Sequence, residues 1–247
     1  EWELRESRIV ETGPLRAGIW LRFDGAASHL ELTLRLEADS PVIRAELRAF
    51  CRDRACRLKL RLPMAGRIIC DVPGAEVERG IEGQFPAVGW LKLFLPGGTA
   101  FGFAVDGAFS YDNENGFFTC GIAKRTLYAG DEIGGTLRYP ELPVAGGEVK
   151  LRFLLSSDAG TIRQRAEELR MPPRVLCCWP HKGTLPAEGT LLAVEPDAVR
   201  ILALSREKEA FHITLQNCSG QPVEARLSLL GRTGNIALAP WKIVQVR

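Results

Sequence analysis

Carboxylates are the side chains whose types and spacing in this sequence best suit chemistry. Asp106, Asp112 and Glu114 fall close together, and Asp131 and Glu132 follow as an adjacent pair. Cleaving a glycosidic bond takes two carboxyl groups about 5–10 Å apart, one giving a proton and one ionised. Around them, Tyr111, Asp112, Asn113, Glu114 and Asn115 supply an aromatic ring, acids and amides in consecutive positions. Loops between sandwich strands bind sugars with such mixtures. The same residues also suit a turn, in which Asn and Asp bond their own backbone. Both readings stand on the sequence alone.

Other routes to catalysis close quickly. His29, His181 and His212 each stand without a second histidine or cysteine at metal-ligand spacing, so structural or solvent-facing roles are expected and no metal site is assigned. No nucleophile elbow, Walker loop or dinucleotide fingerprint occurs. Gly97, Gly98 and Gly102 lie between apolar runs and precede no helix, which makes them a hairpin and not a phosphate cradle. Trp90 invites a stacking role. Trp241, beside Ile243 and Val246, is expected to pack within a terminal strand. The seven cysteines show no C-x-x-C spacing and read as buried thiols of a reducing compartment. Adjacent Cys177 and Cys178 would point to opposite sides of an extended strand. Asn217-Cys218-Ser219 fits the glycan-acceptor pattern, read here as a chance match.

Composition narrows the remaining classes. The 247 residues carry 32 basic and 30 acidic side chains, spread along the chain without a basic stripe, so nucleic acid is not an expected partner. No apolar run nears the ~20 residues of a membrane helix. A chain of this size buries about 70% of its unfolded surface on folding, enough for a core without disulfides or metals. It begins at Glu1, directly in a patterned strand, and is therefore expected to be a piece of a larger protein.

The elements that must position these residues show a period of two. Leu30, Leu32, Leu34 and Leu36 alternate with polar residues, as do Ala45, Leu47 and Ala49, then Leu58, Leu60 and Leu62. The same period links Val149, Leu151, Phe153 and Leu155, and later Phe211, Ile213 and Leu215, then Val223, Ala225, Leu227 and Leu229. Each run has one wet and one dry face, the pattern of antiparallel sheets packed face to face. Turn residues punctuate them at Asp24-Gly25, Asp106-Gly107, Asn115-Gly116, Gly134-Gly135, Gly146-Gly147 and Ser219-Gly220. One short helix is expected, capped by Asp158 or Thr161, with Ile162, Ala166 and Leu169 on its dry face and Met171-Pro172-Pro173 as its stop. The fold class is thus all-β: a large sandwich over 1–170, a proline-rich linker over 171–186, and a small C-terminal β-sandwich segment over 187–247.

The order of segments carries a resemblance. Ile9–Ala17, with its Thr12-Gly13-Pro14, is similar to the opening strand of the C-terminal β-region of family 38 glycoside hydrolases, the α-mannosidases. Leu34–Pro41, ending in Asp39-Ser40-Pro41, resembles that family's next strand and turn, and Arg57–Pro63 its Leu-Lys strand. Val77–Arg79, Phe85–Trp90, Ala104–Gly107 with Tyr111-Asp112, Gly220–Val223 and Leu238–Ile243 continue the likeness in order. Cys51-Arg52-Asp53 stands where the family carries Trp-His-Glu, and Ser157-Asp158 where it often reads Pro-His, the mark of a divergent member.

That resemblance implies a galactose-mutarotase-like β-supersandwich that supports an N-terminal catalytic domain of the same polypeptide. Zinc, an aspartate nucleophile and an acid/base carboxylate would all lie in that domain, leaving no cofactor and no catalytic residue in this chain. Asp106, Tyr111, Asp112 and Asn113 are the positions it offers for contact with an α-mannoside ligand. A stand-alone carbohydrate-binding module and a structural or oligomerisation domain remain the alternatives, a homo-oligomer stays open, and the expected compartment is the cytoplasm.

Overall fold

The computed structural model describes residues 2–53, 56–80, 83–125, 147–180, 182–184 and 186–247. Asp131, Glu132, His181, Gly146 and the Gly134-Gly135 turn lie outside the described residues. In chain order the strands are β1 (Glu3–Thr12), β2 (Arg16–Asp24), β3 (His29–Glu37), β4 (Val42–Cys51), β5 (Cys56–Leu62), β6 (Arg67–Val72) and β7 (Ala75–Arg79). They continue with β8 (Gln84–Pro86), β9 (Trp90–Phe94), β10 (Ala100–Asp106), β11 (Ser110–Glu114), β12 (Phe117–Arg125) and β13 (Gly147–Ser156). After helix α1 (Ile162–Arg170) come β14 (Leu192–Glu195), β15 (Val199–Glu207), β16 (Ala210–Asn217), β17 (Val223–Leu229), β18 (Arg232–Leu238) and β19 (Ile243–Val246).

Period-two alternation builds these strands into antiparallel sheets. A long sheet of nine strands runs β1-β2-β3-β4-β13-β10-β9-β6-β7, and a cover sheet of four runs β5-β12-β11-β8. Between them lies the main core, where the dry faces of Ala45, Leu47, Ala49, Leu151 and Phe153 meet Leu58, Phe85, Tyr111 and Phe118. The β9–β10 hairpin turns at Gly97 and Gly98, whose positive φ values of 92° and 88° suit glycine. On the long sheet, Ile162, Ala166 and Leu169 of α1 pack with Val42, Trp90, Ala104 and Leu154. Trp90 is therefore a buried packing residue and not a sugar platform. Thr161 occupies the N-cap but makes no capping bond; its hydroxyl bonds Asp158 instead, 3.0 Å away. A backbone nest at Val88, Gly89 and Trp90 donates three N–H groups to Asp71 Oδ1 at 2.9–3.1 Å, fixing the segment that leads into β9.

The chain divides into two compact units, residues 1–71 with 77–173, and 72–76 with 174–247. In the second, β14-β17-β18 and β15-β16-β19 form two three-stranded sheets around Val199, Ile213, Leu215, Ala225 and Leu238. Trp241 differs from its expected place in a strand. It sits half-buried in the turn before β19 with a φ of 58°. Asn217 is fully buried, its Nδ2 donating to the carbonyls of Gln221, Leu238 and Ala239. Cys51, Cys70, Cys120 and Cys218 are buried as expected, but Cys177 and Cys178 are both exposed. Residues 171–180 form no strand that could send them to opposite sides.

Candidate functional site

The stretch from Tyr111 to Glu114 is strand, and the turn is confined to Asn115 and Gly116, with φ values of 52° and 78°. Paired positive φ angles at Asn-Gly make the tight hairpin that joins β11 to β12. Strand alternation then divides the candidate residues between two faces. Tyr111 and Asn113 turn inward. Tyr111 lies among Phe85, Phe103 and Phe118, with ring centroids 5.7–6.5 Å away, and its hydroxyl donates to the Ala108 carbonyl at 3.0 Å. Burial pushes its phenol well above the usual range, so it cannot trade protons near neutrality. The Nδ2 of Asn113 donates to the carbonyls of Gly66 and Gly80 at 2.7 and 3.4 Å, tying neighbouring loops to the sheet. Asp106 ends β10 in the long sheet and pairs with Arg152 Nη2 at 2.5 Å.

Of these four, Asp112 lines two grooves on the outer face of the cover sheet. Strand register assembles a polar row there. Arg61 lies opposite Thr119, Thr119 opposite Asp112, and Asp112 opposite Gln84, one residue from each strand. The neighbouring position on β12 is Gly121, opposite Lys59. Strands two apart are about 10 Å from each other, and Lys59 reaches across β12 so that its Nζ bonds Asp112 Oδ2. The Thr119 hydroxyl donates to the same oxygen at 2.9 Å. Asp112 Oδ1 is buried and, among the described residues, has no hydrogen-bond partner.

Two shallow grooves flank this pair. The first, about 370 Å³, is bordered by Trp2, Arg61, Glu114 and Phe117. The second, about 360 Å³, is bordered by Gln84, Phe109, Ser110 and Lys124. Arg57, Lys59 and Asp112 line both. The Arg61 guanidinium lies 3.5 Å over the Phe117 ring. Asp112 and Glu114 share the face about 7 Å apart along the strand, but Asp112 is already engaged by Lys59 and Thr119. The arrangement suits holding a polar ligand and not transferring a proton. Among the described residues, no group of three or more His, Cys, Asp or Glu gathers in the manner of a metal site. Arg57, Lys59, Arg61, Thr119 and Gln84 carried no signal as single residues, because only the register of strands distant in sequence makes them neighbours.

Together the two sheets define a β-supersandwich, the class expected from the sequence. The same arrangement occurs in an α-mannosidase from Enterococcus faecalis V583, with a TM-score of 0.81 and 12% identity over 97% of this chain and 34% of that one. A glycosyl hydrolase family 38 protein from Enterococcus faecalis gives a TM-score of 0.81 and 13% identity, over 97% of this chain and 36% of that one. The chain thus spans about a third of the length of the structures it matches. At this identity the likeness establishes the fold. No family model and no curated protein matches the chain. Among the described residues no helix is long and apolar enough to cross a membrane.

Proposed function

We propose that this chain is the non-catalytic C-terminal β-domain of an α-mannosidase-like glycosidase, supporting a catalytic domain in the same polypeptide. The observation that carries this reading is the near-complete cover of the chain by a solved α-mannosidase of which it spans only 34%. A second feature supports a neighbouring domain. The inner face of the long sheet runs on past the cover sheet, leaving Ile9, Leu36 and Ile43 exposed on β1, β3 and β4. Uncovered apolar surface of this kind marks an interaction face. The acid, the nucleophile and any zinc belong to the catalytic domain in this proposal. The β-domain gives that domain a rigid wall and can lend the rim of its sugar pocket Asp112, the candidate contact that faces a groove. Buried Cys70 and Cys120 suit the cytoplasm as its compartment.

The test compares the whole polypeptide with this chain alone on a nitrophenyl α-mannoside. The whole polypeptide is expected to release nitrophenol and this chain to release none. Turnover by the chain alone, or none by either, overturns the assignment.

A further inference from the structure

The outer face of the cover sheet holds a charge arrangement that packing does not use. Arg57 and Lys124 stand directly opposite each other in the β5–β12 ladder, both exposed and both lining the second groove. Like charges so placed repel and weaken the strand pair. Among the described residues neither has a carboxylate at ion-pair distance. Arg61 extends the basic row along β5, laid over Phe117 and likewise without a carboxylate. Beside this row lies an acceptor that lacks a donor. The Asp112 side chain is only 9% exposed, and among the described residues its Oδ1 meets no hydrogen-bond donor. A buried acceptor left unmatched is costly unless something completes it. The Asp112 charge is already balanced by Lys59, so it does not repel an anion at the adjacent cations.

We propose that this face binds a saccharide carrying an anionic substituent, a carboxylate or a sulfate. Arg57 and Lys124 receive the anion, which removes their mutual repulsion. Hydroxyls of the sugar donate to Asp112 and meet Gln84, and a ring face lies against Phe117 or Trp2. Asp112 Oδ1 is closed to water in the resting face. A hydroxyl reaches it by a small rotation of the Asp112 carboxylate toward the groove, with the Lys59 bond at Oδ2 kept. This inference is independent of the domain assignment, because binding needs only the chain itself.

The experiment is calorimetric titration of the purified chain with four probes: a heparin-derived tetrasaccharide, tetragalacturonate, mannotetraose and inorganic sulfate. Saturable binding of a charged tetrasaccharide, weakening as salt rises, is expected. Arg57→Gln with Lys124→Gln should weaken it about tenfold or more, as loss of charge-assisted bonds does. Asp112→Asn should weaken the tetrasaccharide and leave inorganic sulfate unchanged. Gln84→Ala, at the exposed end of the same row, keeps that arm decisive if Asp112→Asn destabilises the fold. Equal affinity for mannotetraose overturns the anionic part. Sulfate binding as tightly as the tetrasaccharide, with indifference to Asp112→Asn and Gln84→Ala, reduces the face to an ion site and overturns the saccharide. Absence of saturable binding by both charged tetrasaccharides overturns the whole.

Discussion

The two faces of the cover sheet are made by the same strands and differ in every other respect. Inward, Phe85, Tyr111 and Phe118 stack and Phe103 of β10 meets the last two edge-on, and the one polar side chain of that face on β11, Asn113, is tied to two loop carbonyls. Outward, Lys59, Asp112 and Thr119 form a bonded group, and among the described residues Arg57 and Lys124 have no carboxylate and Asp112 Oδ1 no donor. The inner face is closed by ring packing and by the Asn113 amide N–H groups, although among the described residues Asn113 Oδ1 also lacks a partner; what the outer face adds is a row of cations. Within one strand, a residue's neighbour in sequence therefore says nothing about its role, while its neighbour two places on, or across the ladder, says much.

Substitutions can sharpen or break that contrast. The largest effect is expected from Phe118→Ala, which removes a fully buried ring that packs on Phe103 and Tyr111 and should cost about 3–5 kcal/mol in urea unfolding. Asp112→Ala should cost less, about 1–2 kcal/mol, because the Lys59 side chain it strands is 35% exposed and screened by water. Tyr111→Phe keeps the ring and removes only the bond to Ala108, for an expected loss of about 0.5–1.5 kcal/mol. Arg57→Gln should leave the unfolding midpoint within about 0.5 kcal/mol of the parent, or raise it slightly by relieving repulsion against Lys124. A cost as large as that of Phe118→Ala would show that the outer face is a packing surface after all.

Alkaline pH gives a further, smaller contrast. Burial pushes the Cys120 thiol from 9.0 up to about 12. Its raised value contributes stability that is fully present below about 9 and lost as pH climbs toward 12, since only the unfolded chain ionises readily there. Unfolding midpoints should therefore fall across that window, and less so in Cys120→Ala when each is referred to its own value at pH 8. At pH 8 iodoacetamide should label exposed Cys177 well before Cys120.

Much of the fold was legible because alternation is strict where both sheets meet. Ala45, Leu47 and Ala49, or Leu151 and Phe153, could be assigned to a dry face from spacing alone, and the structure buries them together. The helix face of Ile162, Ala166 and Leu169 was equally plain. The Tyr111–Asn113 stretch was not, because Asp and Asn are poor strand formers and suit turns better. Their strand is held by cross-strand and loop bonds that composition cannot show. The polar row on the outer face was harder still. Its members come from four strands, and nothing in the spacing between Arg61, Gln84, Asp112 and Thr119 announces that they share one line. Cys177 and Cys178 depart from the burial expected of the thiols, because they lie in the proline-rich segment expected as a linker, which forms no strand and leaves them exposed.

The buried amide of Asn217 sets an order of events for this chain. All of its donor capacity goes to carbonyls that close the turn around Ser219 and the end of β18. A bulky group attached to that nitrogen before folding would hold the C-terminal hairpins apart, whereas after folding no modifying enzyme could reach it. Passage through a glycosylating compartment would therefore be a hazard to maturation, and a single early modification would be enough to leave the C-terminal unit unfinished.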